Sequence, residues 1–361
     1  MSSDILYYML GSLAASFSCG YAASSAIAGG NVAEGGEARF TVFFYVITLG
    51  MCFAFGLLTD RFSLSGRLPS SAGLLLAALG LLFVEQQPVA AEILTAAGCA
   101  AFAAGGAADA ASSGDSTRFG MFASPLVPGV AAGIRAAEST VVPVLYPFII
   151  LVFSSVCIFA FCAKERSHAP QTPESAGSEK KPVISSPVPA VPVVFAAAIL
   201  ASFALFSARG ARLGETEGYP SLIYAAAAAA GCLIGGAVAD TFGRREISSA
   251  AVLLGAGALA LSGRFGIMLA ASVFFISFAF PPVAGGLASI YAKHESFAFG
   301  TVMLGILAGR VIFALAGSPS GAGMTYVRAA LVLPAAAAAF LILPGKNWKN
   351  KKNSAASVAD N

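Results

Sequence analysis

The chain has 361 residues, of which 57% are hydrophobic and 11% charged, and its mean hydropathy is +0.81. An ordinary soluble domain is about 25% charged, so this chain has too little polar surface for a water-soluble enzyme and too much apolar content for a disordered one. The net charge of +3 leaves no electrostatic footprint for nucleic acid.

The solvent of most of this chain is therefore lipid. A membrane helix needs about 20 residues, so twelve spans use about 240 and leave short loops. Hydropathy, punctuated by charges and Gly/Pro clusters, predicts spans at 5–28, 40–58, 70–85, 90–111, 118–137, 141–163, 190–208, 219–239, 247–263, 265–291, 296–317 and 325–344. The first run has no lysine or arginine before it and is too long for a leader's apolar region, so it is expected to be retained as a helix. Glu85-Gln86-Gln87-Pro88 predicts a tight interfacial turn between spans three and four. In span ten, Pro281-Pro282 predicts a break near the middle of the helix.

Residues 164–189 read KERSHAPQTPESAGSEKKPVISSPVP. This Pro-, Ser-, Glu- and Lys-rich segment cannot bury enough apolar surface to order itself and is read as a flexible linker. It divides the chain into residues 1–163 and 190–345, six spans each, followed by a basic and then polar tail at 346–361. With both termini and the linker on one side, that side holds fourteen of the 21 basic residues, including every lysine. The positive-inside rule makes that side cytoplasmic. The expected fold is an all-α integral membrane protein with twelve helices in two pseudo-symmetric halves, both termini cytoplasmic in the cell membrane.

The two halves repeat a motif. Gly56-Leu-Leu-Thr-Asp60-Arg61-Phe62 leads to Gly66-Arg67, with Ser63 to Ser65 inserted. Gly236-Ala-Val-Ala-Asp240-Thr241-Phe242 leads directly to Gly243-Arg244-Arg245. The aspartates are 180 residues apart. Phe119-Gly120 and Phe299-Gly300 repeat at the same spacing. Gly129-x-x-x-Gly133 and Gly305-x-x-x-Gly309 pair at an offset of 176. A duplicated six-helix unit accounts for these spacings, and internal repeats of this kind mark alternating-access transporters.

At these residues the chain resembles the major facilitator superfamily, whose loop between helices two and three carries Gly-x-x-x-Asp-Arg-x-Gly-Arg-Arg, with a weaker copy between helices eight and nine. Here the second copy is the more complete, departing only at Thr241. The resemblance implies a secondary transporter. It also implies that Asp60 reaches the start of helix eleven near Ser296, where the helix dipole and free N–H groups favour a carboxylate. By the repeat, Asp240 then faces Ser116 and Thr117. Both contacts are expected when the cytoplasmic side is closed.

Few charges lie within the spans, and those that do are functional candidates. Asp109 is either a proton or cation site or the partner of Arg61, Arg67 or Arg118. Glu85 and Glu92 flank the turn before span four and are read as exposed interface charges. Arg310 lies deep in span eleven and Arg135 at a similar level in span five. With no acidic residue at that depth, they point to an anionic or carboxylate-bearing solute held by bidentate hydrogen bonds. Cavity-lining helices in the family are one, four, seven and ten, which offer Tyr21 and the serines 16, 18, 24, 25, 202, 207, 272 and 277. These serines are read as packing residues before ligands.

The family's proton-coupled drug exporters usually carry an arginine in helix four, absent here, and a proline where Ile134 stands. A proton-coupled drug or metabolite exporter and a non-transporting sensor or assembly protein stay open as alternatives. The six cysteines sit in apolar runs and are read as buried thiols. No enzyme, cofactor or metal is expected, and the partners are a small-molecule solute and the bilayer, with the chain acting as a monomer.

Overall fold

A computed structural model describes residues 3–28, 37–112, 115–139, 142–162, 190–213, 219–291, 294–316 and 324–343. Side chains are described within these ranges except at 3, 26–28, 37–45, 49, 111–112, 190–191, 205–213, 219–221, 310 and 313–316. The linker at 164–189 and the tail at 346–361 lie outside the described residues.

Among the described residues all regular structure is helical. The thirteen helices are α1 (Ser3–Ala28), α2 (Glu37–Arg61), α3 (Arg67–Leu81), α4 (Pro88–Ser112), α5 (Ser116–Ala123), α6 (Leu126–Ser139), α7 (Leu145–Phe161), α8 (Ala190–Leu213), α9 (Tyr219–Phe242), α10 (Arg244–Leu261), α11 (Ile267–Ile290), α12 (Glu295–Ala316) and α13 (Met324–Ile342). Five described stretches are long and apolar enough to cross a membrane: Pro88–Ala110, Ser116–Ser139, Leu222–Phe242, Ile267–Ile290 and Met324–Ile342. The first of these, in α4, is the most deeply enclosed. Leucine, isoleucine and phenylalanine side chains such as Ile149, Phe153, Ile267 and Leu341 face outward, as lipid-facing positions do.

Helices α1 and α6 pack together, as do α2 and α12, α3 and α4, α5 and α9, α8 and α12, α9 and α11, and α10 with α11 and α13. The interfaces depend on small residues, which let backbones approach where lipid supplies no hydrophobic drive. A Cβ on Gly129 would strike Ser16 Oγ and the Leu13 carbonyl, and one on Gly309 would strike Ser202 Oγ and the Ile199 carbonyl. The structural counterpart of Gly129 is therefore Gly309, at an offset of 180. The offset of 176 expected from Gly129 and Gly305 is corrected: the repeat keeps one spacing throughout.

The break predicted at Pro281-Pro282 is absent, and α11 runs through both prolines. Pro281 cannot donate to the Ser277 carbonyl, but Cys232 Sγ on α9 does so at 3.5 Å, so the carbonyl freed by the missing N–H is not left bare. The break lies instead in span five, between Ala123 and Leu126. Ser124 Oγ donates to Met121 O at 3.1 Å, the carbonyl that Pro125 cannot serve. Ser16 Oγ on α1 approaches Pro125 O at 3.3 Å.

Candidate functional site

Asp60 and Asp240 lie at one end of the bundle, here called the aspartate end. Asp240, at the end of α9, accepts hydrogen bonds from Ser116 N at 3.0 Å, Thr117 N at 2.8 Å and Thr117 Oγ1 at 2.8 Å. These donors are the first residues of α5, where the backbone N–H groups have no partner inside the helix. Asp60, at the end of α2, accepts from Phe297 N at 2.7 Å, near the start of α12. The glycine four residues before each aspartate makes the approach possible. A Cβ at Gly236 would run into the Ser116 carbonyl, and one at Gly56 into the Ser296 carbonyl.

The two copies are alike in geometry but not in chemistry. Asp240 also lies 3.8 Å from Arg244 Nη2. Arg244, almost buried, donates through Nη1 to Gly285 O at 3.1 Å; burial pushes its guanidinium below the ordinary value, while Asp240 and Asp115 act in the opposite sense. Asp60 has a buried Oδ1 with no hydrogen-bond partner. Burial pushes its carboxyl up, and the Phe297 and Ser296 amides pull against that shift. Asp60 lies beyond the predicted span 40–58, at the helix end.

The loops after the aspartates differ for a backbone reason. Gly243 has φ of 110° and Ser63 has φ of 49°, and the two are 180 residues apart. Ser63, not Gly66, is thus the counterpart of Gly243. A glycine accepts this left-handed region without penalty, whereas a serine is strained there. From Gly243 the chain enters α10 at once, while the first copy needs Ser63–Gly66 before α3 begins. Gly66 instead lies against α4, where a Cβ would meet the Gly105 carbonyl. Arg67 donates to Phe159 O at 3.1 Å and sits 5.1 Å from the Phe159 ring. Arg245 covers the Phe340 ring at 3.8 Å, and Arg61 is exposed.

Behind the aspartates lies an aromatic cluster that sequence reasoning used only as a repeat marker. Phe119 contacts Phe299 with ring centroids 5.8 Å apart, Phe280 at 5.8 Å and Phe122 at 6.1 Å. Phe122 in turn contacts Phe102 at 5.9 Å and Phe299 at 6.4 Å. Phe119, Phe122, Phe299 and Phe102 are all fully buried. They join α4, α5, α11 and α12 into one apolar plug.

The remaining candidates separate. Asp109 pairs with Arg118 at 3.7 Å, one of the partners expected for it. Tyr21 is nearly buried and donates to Val142 O at 3.1 Å. Ser16, Ser18 and Ser202 donate to carbonyls of their own helices, and Ser272 donates to Gly255 O; all four are buried. The side chain of Ser207 lies outside those described.

Arg135 needs correction. It pairs with Glu138 at 3.1 Å, both about half exposed, so an acidic group stands one turn away where none was expected. With the repeat fixed at 180, the counterpart of Arg310 is Val130, and Arg135 lies five residues further along. That is about 7.5 Å along a helix, so the two arginines do not share a level. Arg310 belongs to α12, and its side chain lies outside those described.

Glu92 needs a larger correction. It was expected as an exposed interface charge, but its exposure is 0%, and neither carboxyl oxygen has a hydrogen-bond partner. Among the described residues, no group of His, Cys, Asp or Glu is placed to hold a metal ion. The six cysteines are buried free thiols.

This arrangement of helices defines a class. Solved structures of the E. coli fucose:proton symporter FucP match with TM-scores of 0.62 and 0.64 at 15% identity. They cover 94% and 93% of this chain and 98% and 97% of theirs, and the second is in the outward conformation. The human organic anion transporter TETRAN matches with a TM-score of 0.63 at 15% identity, over 94% of this chain and 100% of its own. No family model and no curated protein sequence matches. The chain is a multi-pass membrane protein with the fold of the major facilitator superfamily.

Proposed function

We propose that the chain is a secondary transporter that moves a small solute by alternating access, with residues 1–163 and 190–345 as two rocking six-helix halves. The linker at 164–189, the tail at 346–361 and both termini face the cytoplasm of the cell membrane, a placement supported by the charge bias. The observation that carries the reading is the mirrored pair of contacts, Asp60 to Phe297 N and Asp240 to the amides of Ser116 and Thr117. Each links a helix end in one half to a helix start in the other, so the contacts close one end of the bundle and must break for it to open.

The closed aspartate end, sealed further by the Phe119–Phe299 contact, supports assignment of this state as outward-facing. The match to FucP in its outward conformation is in keeping with that assignment. Arg310 is the residue proposed to meet the solute, and a carboxylate-bearing or other anionic metabolite suits a guanidinium. Uptake by proteoliposomes across a panel of organic acids, sugars and organic cations, with and without a pH gradient, tests both statements. Accumulation of an organic acid that is lost in Arg310→Ala is the expected result; accumulation of cations alone rejects the anionic assignment.

A further inference from the structure

Glu92 is the one feature of α4 that neither the gate nor the packing explains. Its carboxyl is sealed at 0% exposure and lacks any hydrogen-bond partner. An ionised carboxylate cannot persist in such surroundings, because no dipole or cation replaces the lost water. The groups able to change this were sought on every helix packed against α4. On the same half of the bundle α1 offers Cys19 and Tyr21, α2 offers Cys52, and the turn before α4 offers Glu85; none is a cation. Helix α3 has only Arg67, at its far end. Helices α5, α11 and α12 meet α4 toward the aspartate end, where Arg118 already pairs with Asp109. Glu37, Arg39 and Tyr45 on α2 have side chains outside those described.

Helix α4 also touches the gate. Ser296 Oγ, adjacent to the Phe297 amide that holds Asp60, donates to Ala104 O at 3.2 Å. Glu92 lies twelve residues earlier on the same helix, about 18 Å away along its axis. An opening that parts α12 from α4 therefore acts on the helix that buries Glu92.

We propose that Glu92 is a proton-binding site: it holds a proton while the aspartate end is closed and releases it as the carboxylate when that end opens. The inference rests on the transporter reading and deepens it by making the transported solute's partner a proton. By linkage, a proton bound only in the closed state must itself favour that state. Acid therefore favours the closed aspartate end and alkali the open one.

The test needs no substrate. Infrared spectroscopy of the protein in lipid vesicles at neutral pH should show a protonated carboxylic acid band that is missing in Glu92→Gln, an isosteric and neutral change that keeps the buried site. In parallel, spin-label distances across the aspartate end should lengthen as pH rises in the wild type and lose that component in Glu92→Gln. Glu92→Asp should restore both signals. Absence of the band overturns the proposal, and would mean a carboxylate held by a cation such as Arg39. A band whose loss leaves the pH dependence of the distances intact also overturns it, leaving Glu92 a purely structural acid. Failure of every solute to accumulate in proteoliposomes would count against the transporter reading without touching either spectroscopic result.

Discussion

Phe119 and Phe299, 180 residues apart in the chain, pack ring against ring with centroids 5.8 Å apart. Equivalent residues of a duplicated unit can touch each other only where the axis relating the two copies passes between them. The plug behind the aspartates therefore sits on the internal two-fold, and one contact closes the bundle for both copies at once. Replacing either ring with alanine removes a large buried side chain from this plug, a change that costs about 3–5 kcal/mol in a packed core. Phe119→Ala and Phe299→Ala should each shift the protein toward the open aspartate end, and a thiol reagent should then react faster with Cys99, just inside the plug on α4. Equal reactivity in wild type and both variants would separate the plug from gating.

The two aspartates should not behave alike. Asp240 accepts three hydrogen bonds and faces Arg244, and a hydrogen bond to a charged group contributes about 1.5–3 kcal/mol. Asp60 accepts one and carries a buried oxygen without a partner. Asp240→Asn should raise the open population at least several-fold, measured as the distribution of spin-label distances across the aspartate end. Asp60→Asn should leave it near the wild-type value, because relief of the buried charge offsets the weaker bond to Phe297 N.

The pH dependence of Asp60 follows from the same geometry. Burial raises its carboxyl when the end is closed, and opening returns it to water. The closed state therefore binds this proton more tightly. Its favourable contribution to closure is present below the ordinary carboxylate range and is lost as pH rises through the raised closed-state value. Acidification into the carboxylate range should lengthen the lifetime of the closed end, and Asp60→Asn should remove that component. A component that persists in Asp60→Asn assigns the titration to another group.

Ser63 is strained where Gly243 is not. A left-handed backbone costs a non-glycine residue roughly 1–2 kcal/mol, so Ser63→Gly should raise thermal stability in detergent by about 1 kcal/mol or slightly less, given the extra freedom of glycine in the unfolded chain. Gly243→Ala should lower it by a similar amount. Thermal unfolding of the three proteins by a thiol-independent probe checks the order.

Helix extents were legible because an apolar chain makes every charge and every glycine–proline cluster a boundary. The helix starts that Asp60 and Asp240 meet were legible because the motif recurs at one spacing. Azimuth was not. Glu92 stands four residues after Pro88 and beside a polar turn, and linear position suggested an exposed charge; the phase of α4 turns it inward. The pairing of Gly129 with Gly305 failed for a related reason. Glycines at i and i+4 share a helix face, and only the serine each one packs against, Ser16 or Ser202, tells them apart. The unbroken course of α11 depends on a thiol from α9, a tertiary contact that no local proline rule contains.

The central claim is that solute crosses the membrane only when the contact between Asp240 and the start of α5 breaks. The direct measurement is solute uptake by proteoliposomes containing Thr117→Cys/Asp240→Cys, in a background with the six native cysteines replaced. The two positions should be joined by a short thiol-to-thiol cross-linker and then released. Uptake that stops on cross-linking and returns on release is the predicted result. Uptake that proceeds at the same rate with the bridge in place would contradict the account.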